Sequence, residues 1–133
     1  MRLLDDMFIL VSVTDRQAVL RLNGAHPIYA VHFPGQPITP GVCLVQLLGE
    51  LLQRQTGRAL ELGRIVNLKF VHTLSPDTVS LLTVDFTSVV GNASERCNPA
   101  SDTACGTVHA KGTITANSEV AVKFSVVYKY INS

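Results

Sequence analysis

The feature that most constrains the fold of this chain is the apolar segment from Val42 to Leu52. Residues 42–45, 47, 48, 51 and 52 are all apolar, and Gly57 follows as a stop signal. This pattern predicts a helix over about residues 41–56. A helix that is apolar on nearly every side must be buried on nearly every side.

The rest of the sequence predicts strands and offers no second helix of comparable quality. Residues 7–22 predict two strands around a turn at Thr14-Asp15-Arg16-Gln17, and an apolar–polar alternation recurs at 66–70, 78–90, 108–116 and 120–130. The stripe at 120–130 is the cleanest, so we expect an interior strand there. Because no other helices are available to cover the apolar helix, antiparallel strands must wrap around it. The prediction is an α+β fold, a curved antiparallel sheet around a central helix.

Composition narrows the class of protein. A chain of 133 residues with 47% hydrophobic and 16% charged residues predicts one globular domain spanning 1–133. A net charge of +1 gives no argument for a nucleic-acid or membrane-surface partner. No apolar run reaches the roughly 18 residues of a membrane span, and the pair Asp5-Asp6 interrupts any signal peptide. We therefore expect a cytoplasmic protein.

The three cysteines fit a reducing compartment. Cys43 lies in the apolar helix and is expected in the core. Cys97 and Cys105 flank a polar stretch and are interpreted as free loop thiols, with a disulfide as the alternative. Their spacing does not suggest a metal site.

The segment His32–Gly41 is stiffened by prolines at positions 34, 37 and 40. We expect Thr39 to cap the helix and Pro40 to occupy its first position. His32 is then held close to a helix N-terminus, where free N–H groups and the helix dipole favour a partly negative oxygen. This arrangement suggests chemistry at a polarised carbonyl.

Two polar residues of the helix are further candidates. Gln46, Glu50 and Arg54 are spaced by four residues and are expected along one face. Glu50 has two interpretations of similar weight: an acid–base role with His32, or a solvated ion pair with Arg54. Gln46 has a similar alternative, as an amide bonded to backbone or to a second subunit.

The loop and the start of the helix contain the motif His32-Phe33-Pro34-Gly35-x-Pro37-x-x-Pro40-Gly41-Val42. This motif resembles the signature of the 3-hydroxyacyl-acyl carrier protein dehydratases, which have the hotdog fold. Weaker similarity lies before it, at His26–Tyr29, and after the helix, at Asn67–Phe70 and Ser75–Asp77. It extends over most of the chain.

The resemblance implies a homodimer or higher homo-oligomer with active sites at the subunit interface, acting on substrates carried by acyl carrier protein. It implies that His32 removes the α-proton, that the Gly41 N–H holds the thioester oxygen, and that an acid on the partner's helix protonates the leaving hydroxyl. Phe33, Pro34, Gly35, Pro40 and Val42 would form the substrate loop. No metal or cofactor is implied.

The chain departs from the family at the acid, because the family has Glu or Asp where this chain has Gln46, and Gln where it has Glu50. An amide donates a hydrogen bond but no proton at neutral pH. Three explanations follow, in order of preference. Glu50 acts as the acid in a rearranged site; the chain binds acyl thioesters with impaired catalysis, as one half of a heterodimer with a related hotdog subunit; or the site hydrolyses thioesters.

Overall fold

The elements follow the predicted order, with one addition. The structure is a computed structural model of the chain, and it describes residues 3–31, 38–92 and 106–131. Within them lie six strands and two helices: β1 (Phe8–Val13), β2 (Gln17–Leu22), α1 (Ile28–Val31), α2 (Gly41–Thr56), β3 (Leu60–Phe70), β4 (Leu81–Asn92), β5 (Thr107–Ala116) and β6 (Glu119–Tyr130). The short helix α1 was not predicted. Strand β3 begins several residues before the alternation that predicted it, because bulges at Gly63 and Val66 break the period of two.

The strands form one antiparallel sheet in the order β1-β2-β4-β5-β6-β3. Register shifts in four of the five strand pairs add twist and curvature. Strand β6 lies between β5 and β3, which confirms the predicted interior strand. The α+β prediction, a curved sheet around a central helix, is also confirmed.

Helix α2 is the centre of the core. Its five leucines are at most 1% exposed: Leu44, Leu47, Leu48, Leu51 and Leu52. The sheet supplies buried side chains from alternate positions of β2, β4, β5 and β6. A third contribution comes from the N-terminal segment, where Leu3, Met7 and Phe8 are fully buried. That segment was not predicted to help cover the helix.

The sequence predicted the cap at one end of α2 correctly and the cap at the other end wrongly. At the C-terminal end, Gly57 has φ +69° and its N–H donates to the Gln53 carbonyl at 2.9 Å, as expected for a left-handed cap. At the N-terminal end the prediction is wrong, because Pro40 is the N-cap and none of the described side chains caps the helix. The Thr39 hydroxyl instead shares a hydrogen bond with the Tyr29 hydroxyl.

Neither helix of the described ranges is both long and apolar enough to cross a membrane.

Candidate active site at the start of helix α2

The N-terminus of α2 presents backbone donors. The N–H groups of Cys43 and Leu44 donate to the Pro40 carbonyl at 3.1 and 3.3 Å. For the N–H groups of Gly41 and Val42, the described part of the chain supplies no acceptor. Together with the helix dipole, these donors favour an oxygen that carries negative charge.

Gly41 packs closely against the end of β3. A Cβ at this position would lie 3.3 Å from the Phe70 ring and 3.5 Å from Leu68 Cδ2. A side chain at residue 41 would therefore force the Phe70 ring to shift by a few tenths of an ångström, whereas glycine lets the end of β3 approach the start of α2 without such a shift.

A groove of about 250 Å³ runs along α2, beside strand β3 at the edge of the sheet. Its lining combines one face of the helix with the start of the strand and one tyrosine of β6: Val42, Val45, Gln46, Gly49, Gln53, Leu60, Glu61, Leu62 and Tyr128. Val42 is 75% exposed and Gln46 is also exposed. The groove is therefore mostly apolar, with an amide beside it and the helix N-terminus at one end.

Tyr128 and Gly49 shape the groove, and sequence reasoning missed both. The Tyr128 hydroxyl donates to the Val45 carbonyl at 2.6 Å, and a Cβ at Gly49 would lie 2.9 Å from Tyr128 Cε1. Burial raises the pKa of Tyr128 well above its usual value, although a hydrogen bond with the backbone at Gly49 opposes the shift. The phenol is therefore neutral at physiological pH. The available signal was an isolated glycine inside an apolar helix, which often marks close packing.

Glu50 lies elsewhere. Its side chain is only 8% exposed, and the Leu3 N–H donates to both carboxylate oxygens at 2.9 Å. The Leu4 N–H donates to Oε1 at 3.1 Å. Glu50 is not among the groove-lining residues, and among the described residues it forms no ion pair with Arg54. The carboxylate therefore binds the N-terminal segment to the helix.

The structure brings together only part of the predicted site. Pro40, Gly41, Val42 and Gln46 lie at the start of α2 or along the groove, whereas Glu50 faces the N-terminal segment. The predicted base and three residues of the predicted substrate loop lie outside the described residues: His32, Phe33, Pro34 and Gly35. Cys97 and Cys105 also lie outside them, whereas Cys43 is buried in the core as predicted.

The other three histidines have partners of their own. His26 Nε2 lies 3.2 Å from an Asp6 carboxylate oxygen, and His109 Nε2 lies 2.7 Å from Ser125 Oγ. His72 Nε2 lies 3.3 Å from a Glu119 carboxylate oxygen. None of these histidines lines the groove. The described residues also contain no cluster of three or more side chains suited to a metal ion.

Strand β3 exposes apolar side chains at the edge of the sheet. Leu62, Ile65, Val66 and Phe70 of the strand, and Val71 directly after it, are between 39% and 50% exposed. Within the described residues, β3 pairs with β6 on one side and with no strand on the other. Long apolar edges are normally covered in solution. This edge lies next to the groove, because Leu60, Glu61 and Leu62 at the start of β3 line it.

Comparison with known proteins gives the family. A sequence model of the ApeI-like family, described as ApeI dehydratase, matches residues 11–112. The chain belongs to the ApeI-like dehydratase family. It is also 28% identical, over 111 residues, to the 3-hydroxyacyl-[acyl-carrier-protein] dehydratase FabZ of Clostridium acetobutylicum. That match covers 78% of this ApeI-like chain and 69% of the relative.

Solved structures support the hotdog fold of this ApeI-like dehydratase family member. The dehydratase heterocomplex ApeI:P from Xenorhabdus doucetiae contains a chain that superposes with a TM-score of 0.59 at 16% identity, covering 94% of this chain and 98% of that one. A putative thioesterase from Shewanella oneidensis superposes with a TM-score of 0.52 at 12% identity, covering 94% and 83% respectively. At these identities the likeness concerns the fold alone.

Proposed function

We propose that residues 1–133 form one hotdog domain that dehydrates 3-hydroxyacyl thioesters of acyl carrier protein to trans-2-enoyl thioesters, in fatty-acid or polyene-type synthesis. The observation that carries the proposal is the N-terminus of α2. There, Val42 lines a mostly apolar groove, and the described part of the chain supplies no acceptor for the N–H groups of Gly41 and Val42. Membership of a dehydratase family supports the same reaction. The groove would hold the acyl chain, and the donors would hold the thioester oxygen.

In the proposed reaction, neutral His32 removes a proton from the α-carbon of the substrate. The electron pair moves toward the thioester carbonyl, whose oxygen gains negative charge and is stabilised by the Gly41 N–H. The Cα–Cβ double bond forms as the β-hydroxyl leaves. That hydroxyl must gain a proton to leave as water, so the site needs an acid.

The position of Glu50 argues against giving it this role. Its two oxygens already accept hydrogen bonds from Leu3 and Leu4, about one helical turn from the groove amide of Gln46. Moving the carboxylate into the groove would leave buried N–H groups without acceptors, at about 1–3 kcal/mol each. Gln46 is suitably placed but cannot release a proton. We propose that this chain supplies the base and the oxyanion donors, and that a related hotdog subunit supplies the acid.

A paired arrangement also fits the exposed edge. Pairing of β3 with the β3 strand of a second subunit would continue the sheet and cover the apolar side chains of that edge. Both grooves would then lie at the interface, where each helix faces the other subunit. A homodimer would carry Gln46 in both sites, whereas a heterodimer with an acid-bearing relative would contain one complete site. The heterocomplex from X. doucetiae gives a precedent for such pairing.

The second candidate function is thioester hydrolysis, because an amide such as Gln46 can orient a water molecule next to a bound carbonyl. One assay separates the candidates by following enoyl-thioester absorbance and thiol release together. Dehydration changes only the absorbance, and hydrolysis releases thiol. Release of thiol without change in the enoyl signal would replace the dehydratase proposal with the thioesterase.

The acid is tested with two exchanged variants, Gln46→Glu and Glu50→Gln, with His32→Ala as the inactive reference. We expect Gln46→Glu to raise the turnover of the isolated chain by about 10²-fold, the lower range for a positioned acid. Glu50→Gln is expected to leave turnover within about threefold, per folded protein. Loss of all turnover in folded Glu50→Gln would instead identify Glu50 as the acid.

A further inference from the structure

A buried hydroxyl pair lies directly behind the N-terminus of α2. The Tyr29 hydroxyl and Thr39 Oγ1 are 2.8 Å apart, and the two residues are 4% and 2% exposed. Tyr29 belongs to helix α1, and Thr39 directly precedes the N-cap Pro40. In sequence, Tyr29 precedes His32 and Thr39 follows it, so one hydrogen bond links the chain before His32 to the chain after it.

Thr39 is fixed by a second contact. Its backbone N–H donates to the Leu74 carbonyl at 2.7 Å, in the connection between β3 and β4. The next carbonyl along the chain, that of Pro40, accepts the N–H groups of Cys43 and Leu44. A shift of Thr39 would therefore also shift the first turn of α2, because only Pro40, whose φ is restricted, lies between them.

The hydroxyl pair also bears on how the first turn of α2 is capped. If the helix began one residue earlier, Thr39 would be its N-cap, and its side-chain oxygen could accept a hydrogen bond from a first-turn N–H. Here the N-cap is Pro40 and the Thr39 oxygen is bonded to Tyr29 instead. Within residues 3–31, 38–92 and 106–131, the N–H groups of Gly41 and Val42 thus have no acceptor.

The chemistry of the pair favours a stable neutral hydrogen bond. Burial raises the pKa of the Tyr29 phenol; the bond to Thr39 lowers it, and nearby Cys43 raises it again, with a net upward shift. The phenol therefore keeps its proton at physiological pH. Because both groups are buried, loss of either partner would leave the other hydroxyl unsatisfied.

We propose that Tyr29 and Thr39 are positioning residues, whose hydrogen bond holds the start of α2 in place and keeps the Thr39 oxygen away from the Gly41 and Val42 N–H groups. The proposal rests on the proposed function, because it assigns the pair a role at that oxyanion site. Neither residue contacts the substrate in this proposal. Their effect passes through the position of the helix N-terminus.

The test uses Tyr29→Phe and Thr39→Val, which remove one hydroxyl each with little change of shape, and Thr39→Ser as the matched control that keeps it. Turnover is measured in the full chain, with its partner subunit where one is needed. We expect kcat to fall about tenfold or more in both hydroxyl-deleting variants, because catalysis is sensitive to shifts of about 1 Å. KM should change less than about threefold, and Thr39→Ser should restore most of kcat.

The double variant Tyr29→Phe/Thr39→Val adds a test of coupling. If the two hydroxyls act through one hydrogen bond, the double variant should lose no more activity than the more impaired single variant. Multiplying losses would overturn the proposal, as would a Thr39→Ser variant as impaired as Thr39→Val.

Amide hydrogen exchange provides a readout that does not depend on catalysis. The Cys43 and Leu44 amides, which bond to Pro40, should exchange at least about fivefold faster in Tyr29→Phe and Thr39→Val than in the wild type and Thr39→Ser. Faster exchange in these variants, together with no dehydration by the Gln46→Glu chain that carries its own acid, would support the positioning role and reject the proposed function. Unchanged exchange in both variants would reject the positioning role, whatever the activity.

Discussion

Gln46 and Glu50 lie one turn apart on helix α2 and appear equivalent in the sequence, yet the structure gives them opposite surroundings. Gln46 is exposed and lines the groove, whereas Glu50 is 8% exposed and accepts hydrogen bonds from Leu3 and Leu4. At 3.6 residues per turn, the two positions differ by only about 40° around the helix axis. That rotation is sufficient here because the N-terminal segment packs against one side of the helix and leaves the other side open.

The comparison teaches how a carboxylate on an apolar helix should be interpreted. A carboxylate removed from water needs hydrogen-bond donors to offset its lost solvation. For Glu50, the backbone of the N-terminal segment supplies them, and so the charge joins two distant parts of the chain. The Gln46 amide is exposed and lines the groove, so it carries no charge that has to be compensated by buried donors.

The largest expected difference between the two positions is in stability. Glu50→Ala leaves two buried N–H groups without acceptors and should lower the free energy of unfolding by about 2–4 kcal/mol. Gln46→Ala, at an exposed position, should change it by less than about 0.5 kcal/mol. Urea denaturation of the two variants measures both values. Equal losses would mean that the hydrogen bonds of Glu50 do not hold the N-terminal segment to the helix.

A smaller effect is expected on the groove side of the helix. Gly49→Ala places a methyl group 2.9 Å from the Tyr128 ring, and the overpacking should cost about 1–2 kcal/mol after the gain in helix propensity. The control repeats the substitution in a Tyr128→Leu background, where the ring is absent. There the alanine should be neutral or stabilising, and an unchanged penalty would show that the ring is not its cause. Thermal unfolding of the four proteins measures this.

The smallest expected effect is on the pH dependence of the free energy of unfolding at alkaline pH, to which Tyr128 on the groove side contributes and Glu50 does not. Tyr29 and Tyr128 have a higher pKa in the folded state than in the unfolded chain. Stability is therefore complete below about pH 10 and is lost as the pH rises above it, because the unfolded chain releases these protons first. The large shift of Tyr128 corresponds to a loss of about 0.8 kcal/mol by pH 10.5, and Tyr29 adds a loss of the same sign.

Tyr128→Phe should reduce this loss of stability at alkaline pH, and Glu50→Gln should not alter it. Denaturation of the three proteins between pH 8 and 10.5 checks both statements. An alkaline loss that is the same in Tyr128→Phe as in the wild type would exclude the phenol as a cause.

The sequence predicted local structure well. The helix bounds, the cap at Gly57, the turn before β2 and the interior position of β6 are all confirmed, because each depends on the periodicity or backbone preference of neighbouring residues. The loop signature also predicted the dehydratase family. The role of His32 stays a prediction, since that residue lies outside the described ranges.

Only the tertiary structure decided the partners of particular polar groups. Thr39 bonds Tyr29 instead of capping α2, and Glu50 bonds backbone groups that are 46 and 47 residues away. No local pattern contains these contacts, because they depend on where the folded chain brings distant segments together. The residue types and their spacing determined which helices and strands form. The packing of the N-terminal segment and of the sheet against α2 determined which of its polar side chains are buried and which line the groove.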